Sequence, residues 1–197
     1  MTAAAIDHLV IAAETLAEGV AWVEDRLGIA CSGGGAHPVM GTHNRLIRLG
    51  DLYLEVIAVD PEAAPPTQPR WFGLDTFSGP PRLVTWVARV PDLDAALAAA
   101  PCPAQPLALT RGDLAWRFGV SPDGALCQAG AYPCLIEWQG DAHPVPRLAE
   151  TPLRLFRLEV TLPDALALPV NDPRLVRHPG PPALSALIDT PQGLRHL

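Results

Sequence analysis

The feature that most constrains this chain is a strand–helix–strand–strand pattern that occurs twice. Ile6-Asp7-His8-Leu9-Val10-Ile11-Ala12 is short, rich in branched apolar residues and reads as a strand. Thr15 is placed to cap a helix, with Glu18 three residues on as a capping box. Leu16, Val20, Val23 and Leu27 recur at helical spacing, which predicts an amphipathic helix over 15–27. Gly28 stands where a left-handed stop is wanted. A glycine-rich loop, Cys31 to Pro38, leads to strands over 44–49 and 52–59, joined at Gly50-Asp51. The pattern restarts at Arg82-Leu83-Val84-Thr85-Trp86-Val87-Ala88-Arg89-Val90. A helix opens at Asp92, and strands are expected over 107–110, 114–120 and 134–138. Thr85 falls where His8 does, and Leu135-Ile136-Glu137 falls where Tyr53-Leu54-Glu55 does.

These boundaries divide the chain into a first module over 1–60, a Pro-rich connector over 61–81, a second module over 82–140 and a C-terminal extension over 141–197. Trp71-Phe72 and Phe77 make the connector too aromatic for a free linker. In the extension, 153–162 and 184–189 read as strands and 163–168 as a short helix.

All 14 basic residues are Arg; the sequence contains no lysine. That excludes a Schiff-base lysine and a P-loop lysine on a nucleotide phosphate, so no nucleotide cofactor is expected. The net charge of −7, without basic clusters, argues against nucleic acid and anionic membranes as partners. Lysine-free, Ala-, Pro- and Arg-rich usage also fits a GC-rich bacterial genome. Cys31, Cys102, Cys127 and Cys134 form no C-x-x-C pair and no structural-zinc spacing. The N-terminus has no basic-then-apolar leader, and no run is long enough to span a membrane. The expectation is a cytoplasmic protein with reduced thiols.

Strand alternation places His8 with Val10 on one face, and Tyr53, Glu55 and Ile57 together on one face. A His and a Glu inside apolar strands need partners: a divalent metal, or each other. The loop Gly35-Ala36-His37-Pro38-Val39-Met40-Gly41-Thr42-His43-Asn44 carries two histidines around a glycine and is no phosphate cradle.

The opening strand, the His37-Pro38-x-x-Gly41-Thr42-x-Asn44 loop and the strand Leu52 to Ala58 together resemble the glyoxalase-like domain family. That family belongs to the vicinal oxygen chelate superfamily, with glyoxalase I and extradiol dioxygenases. The resemblance implies an α+β fold of paired βαβββ modules, whose curled mixed sheets surround a cleft, plus a C-terminal β-rich extension. It implies metal ligands on the first and last strands of a module: His8 and Glu55 in the first half, Glu137 in the second. Thr85 and Trp86 occupy the fourth place and are not plausible ligands, which argues against glyoxalase I activity itself. His37 or His43 could add a ligand from the loop. Glu137 is the candidate general base; His37, Asn44 and Arg48 are candidate substrate contacts, with Trp86, Trp116 and Trp138 as apolar walls. His143, His178 and His196 read as surface. Two functions are implied. One is a divalent-metal-dependent lyase, isomerase or dioxygenase acting on a small oxygen-rich molecule. The other is a metal-free protein that binds or sequesters a small molecule. A third reading is a non-catalytic dimerisation scaffold, and pairing of modules between chains would give a homodimer.

Overall fold

A computed structural model describes residues 4–197; Met1, Thr2 and Ala3, where the N-terminal reading begins, lie outside it. The first module comprises β1 (Ala5–Ala12), α1 (Leu16–Leu27), β2 (Gly33–His37), β3 (Thr42–Leu49) and β4 (Leu52–Val59). The second comprises β5 (Arg82–Arg89), α2 (Leu93–Ala99), β6 (Gln105–Arg111), β7 (Leu114–Val120) and β8 (Cys134–Trp138). Both helices start as local sequence chemistry dictates. The Thr15 hydroxyl accepts from the Glu18 amide, and Asp92 accepts from the Ala95 amide. α1 ends at Gly28, whose φ of 69° is the left-handed conformation that closes a helix.

The strands of both modules build one eight-stranded sheet in the order β2-β3-β4-β1-β5-β8-β7-β6. Within each module the first and last strands pair in parallel; β1 and β5 pair antiparallel and join the two halves about a local two-fold. This is the paired βαβββ architecture that the resemblance implies, and the repeat fits it. The extension adds β9 (Arg154–Leu162), β10 (Leu175–Pro179), β11 (Ala183–Thr190) and β12 (Gly193–His196), in the order β10-β9-β11-β12.

The sheet carries a core on each face. On the outer face, Leu9, Ile11, Leu54, Trp86 and Ala88 pack with the helices and with Leu155, Leu158 and Val160 of the extension. Inside the curl, Val10, Ile57, Val87, Trp116, Phe118 and Ile136 enclose a cleft. The connector's Trp71 and Phe72 are buried in that inner core.

Three local expectations differ. The glycine-rich stretch is partly a strand, β2, because the β3 ladder supplies the pairing that its own weak strand propensity does not. Residues 163–168 form a turn, Leu166 N–H to Pro163 C=O, instead of a helix, and β10 and β12 are additional strands. Cys102 and Cys127 form a disulfide where reduced thiols were expected; Cys31 and Cys134 are free. No helix among the described residues is long and apolar enough to cross a membrane.

Candidate functional site

The cleft of the first module is built around His8. A β-bulge in β1 falls between Ile6 and His8, so the strict alternation breaks there. Asp7 and His8 consequently meet: Asp7 Oδ1 lies 2.7 Å from His8 Nδ1. The other ring nitrogen, Nε2, faces Glu55 Oε2 at 3.5 Å. Tyr53, beside His8 in the β1–β4 register, stacks on its ring at 4.4 Å. Asp7 Oδ2 in turn accepts from Trp138 Nε1 at 2.9 Å and lies 3.0 Å from His143 Nε2.

On the other side of Glu55, the Asn44 amide donates to Oε1 at 2.5 Å. Asn44 Oδ1 accepts from the Gly35 amide and from Arg111 Nη1, which reaches across from the end of β6. His37 Nε2 faces two donors, Asn44 Nδ2 at 3.5 Å and Arg111 Nη1 at 3.3 Å, so it accepts. Its Nδ1 then carries the proton and donates to the Thr42 hydroxyl at 3.2 Å. The His-Pro-x-x-Gly-Thr-x-Asn loop is therefore the β2–β3 hairpin, and three of its side chains are bound to one another.

The charges are set by this geometry. Burial would lower the His8 pKa, but hydrogen bonds and charge from Asp7 and Glu55 raise it to about 9, so His8 is an imidazolium at neutral pH. Burial would raise Asp7, but hydrogen bonds with His143 and His8 hold its carboxyl well below the usual range. Glu55 is likewise lowered against its burial, chiefly by His8. His37 is pushed down to about 4, first by burial, and stays neutral. The site thus holds a −/+/− series, Asp7, His8, Glu55, followed by a neutral His37 and the Arg111 cation. Trp71, Phe72, Trp116, Phe118, Ile136 and Trp138 line the remaining walls of a small cleft, about 400 Å³ of empty space partly open to solvent.

The candidate residues separate into two groups. His8, Glu55, His37, Asn44 and Trp138 come together in this cleft, with Trp116 in its wall. Glu137, Trp86 and Arg48 do not join them. Glu137 lies one residue past Ile136, and in a strand a one-residue offset reverses the face. Ile136 faces the cleft, whereas Glu137 accepts from the Leu93 amide at the start of α2 and from Arg117. Trp86 is wholly buried on the outer face, its Nε1 donating to the Ala131 carbonyl. Arg48 donates to the Gly50 carbonyl of its own hairpin and lies 3.6 Å from Glu150. His43 sits 3.8 Å from Asp60, outside the cleft. Asp7, Arg111 and His143 were missed by sequence reasoning. A bulge hides Asp7, Arg111 arrives from the other module, and His143 sits in a loop; none has a local signal.

The fold family implies a divalent metal, and the donor set does not fit one. Among the described residues no three His, Cys, Asp or Glu side chains are grouped to hold an ion. Both His8 nitrogens already face carboxylates, and Glu55 shares its oxygens between His8 and Asn44. The Arg111 guanidinium stands 3.3 Å from the remaining imidazole nitrogen, where it would repel a cation.

Comparison with known proteins agrees with this architecture. The family model of the glyoxalase-like domain matches residues 6–169. The chain belongs to the glyoxalase-like domain family. No curated protein matches it. A hypothetical protein from Staphylococcus aureus is 15% identical, with a TM-score of 0.57 over 81% of this chain and 70% of that one. A hypothetical protein from Bacillus halodurans C-125 is 14% identical, with a TM-score of 0.47 over 76% and 100%. Methylmalonyl-CoA epimerase from Mycobacterium tuberculosis is 19% identical, with a TM-score of 0.44 over 70% and 88%. At 15% identity the likeness to the first of these is one of fold.

Proposed function

We propose that this member of the family binds a small organic carboxylate in the first-module cleft, without a resident metal. The observation that carries this reading is Arg111. Among the described residues its side-chain hydrogen bonds go to His37 and Asn44, both neutral, while Asp7 and Glu55 both pair with His8. Arg111 reaches Glu55 only through Asn44 and has no direct ion pair among the described residues, so its half-buried fork is open to an anionic ligand, and a carboxylate can accept from it in two-pronged fashion. Trp71 supports this. Its indole N–H is buried without an acceptor, and the ring lines the same cleft. The tryptophan and phenylalanine walls suit an apolar body behind the charged head.

Binding, rather than proton abstraction, is the reading that the electrostatics favour. Glu55 is the one carboxylate facing the cleft beside Asn44, and its lowered pKa makes it a weak base at neutral pH.

The test uses metal-stripped protein and paired ligands, benzoate against benzamide, in a thermal-shift series. Benzoate is expected to raise the melting temperature with dose, by about 2.7 kcal/mol of stabilisation at a hundredfold excess over Kd, and benzamide is not. Arg111→Ala is expected to abolish the shift. A stoichiometric divalent ion that survives purification and is lost in His8→Ala would overturn the proposal and restore the metal-enzyme reading.

A further inference from the structure

A second cavity lies behind the cleft wall. The β7–β8 ladder stops at the Phe118–Ile136 pair, so Gly119 and Val120 part from Cys134 and Leu135. The gap between them holds about 520 Å³ of empty space, partly open to solvent, with a mainly apolar lining that includes Leu97, Pro103, Val120, Tyr132 and Leu135. Trp71, Phe72 and Phe118 line this cavity and the cleft alike, so one aromatic wall separates the two.

The backbone around this cavity is unusual. Among the described residues, three non-glycine positions have left-handed φ: Phe72 at 58°, Gln128 at 50° and Ala129 at 50°. Phe72 is in the shared wall. Gln128 and Ala129 directly follow Cys127, whose disulfide to Cys102 forms part of the cavity rim. Side-chain-bearing residues adopt this region at an energetic cost, and a fold keeps such residues where the surroundings impose them, most often at binding sites. Gly130, which completes the left-handed run, admits no side chain: a Cβ there would sit 1.8 Å from the Val84 carbonyl oxygen.

We propose that this cavity takes the hydrocarbon tail of the ligand whose carboxylate rests on Arg111, with the Trp71–Phe72 segment turning aside to join the two spaces. The ligand class is then an amphiphilic carboxylate with an aliphatic or aryl tail. This rests on the carboxylate reading above and deepens it. Three observations converge on it. The two spaces share a wall, one end offers a cation and the other only apolar surface, and the strained backbone is confined to the segments between and around them.

The test is calorimetric titration of the full chain with acetate, butanoate and octanoate, and with octanol as an uncharged probe. Burial of each methylene is expected to tighten carboxylate binding about fourfold until the cavity is filled. Ala104→Trp, which fills the cavity from its half-buried rim, is expected to erase the chain-length dependence. Ala125→Trp, at an exposed rim position, does the same should the first variant fail to fold. If butanoate and octanoate bind equally and both through Arg111, the tail site is overturned and the carboxylate reading stands. If no carboxylate binds, the carboxylate reading fails and octanol decides the cavity alone. Octanol binding that is lost in the Trp variants keeps it as an apolar ligand site, and no octanol binding overturns it.

Discussion

Raising the pH above neutrality should destabilise this protein through His8. The folded pKa of His8 is about 9, against 6.5 for an unperturbed histidine, because Asp7 and Glu55 flank its two ring nitrogens. A raised folded pKa contributes stability that is complete below pH 6.5 and is lost as pH rises through about 9. At about 1.4 kcal/mol per pH unit, the whole contribution is on the order of 3 kcal/mol. The other groups of the cleft leave this window flat. His37 is lowered to about 4, so its effect is an acid-side loss that is over by pH 6.5. Asp7 and Glu55 are lowered as well, and their contributions fade only in acid. Cys31 and Cys134, raised from 9.0 to about 12, add a loss in the same direction that sets in as pH approaches 9, so the His8 effect is read below about pH 8. Urea unfolding of the wild type between pH 7 and 8 should therefore show a steady fall in stability, and His8→Gln should lack it. NMR titration of the His8 ring supplies the pKa directly if the variant is too unstable. A wild type whose stability is flat from pH 7 to 8, with a His8 that titrates near 6.5, would refute the buried Asp7–His8–Glu55 series.

Asn44→Ala removes the amide that holds Glu55 and the oxygen shared by Gly35 and Arg111; denaturant unfolding should show a loss of about 1–3 kcal/mol, together with weakened carboxylate binding. Reduction of the Cys102–Cys127 disulfide, or Cys102→Ser, should cost roughly 2–4 kcal/mol by the same assay. Glu137→Gln should leave carboxylate affinity in calorimetry within twofold of wild type, because Glu137 serves Arg117 and the start of α2 on the other face of β8.

Much of the fold is legible because its signals are local. Thr15, Glu18 and Gly28 mark the ends of α1 by capping chemistry alone, and the repeat orders the strands of both modules. The features that escape a sequence reading depend on tertiary pairing. β2 is a strand because β3 lies beside it, although Gly33, Gly34 and Gly35 have little strand preference of their own. The candidate site divides in the same way. His8 and Glu55 stand out as polar residues in apolar strands, and the His37–Asn44 loop stands out by its motif. Matching Glu137 to Glu55 fails by one residue, and one residue in a strand is a change of face. Asp7 reaches His8 only through a bulge, and Arg111 becomes a neighbour of His37 only when the second module closes over the first.

The central claim is that the cleft selects an anion through Arg111 rather than a cation through His8 and Glu55. Calorimetric titration of metal-stripped protein, once with benzoate and once with a divalent cation such as Zn²⁺ or Mn²⁺, tests it most directly. The account predicts one-to-one benzoate binding that is lost in Arg111→Ala, and no cation binding that depends on His8 or Glu55. Tight one-to-one cation binding abolished by Glu55→Gln, with no response to benzoate, would contradict it.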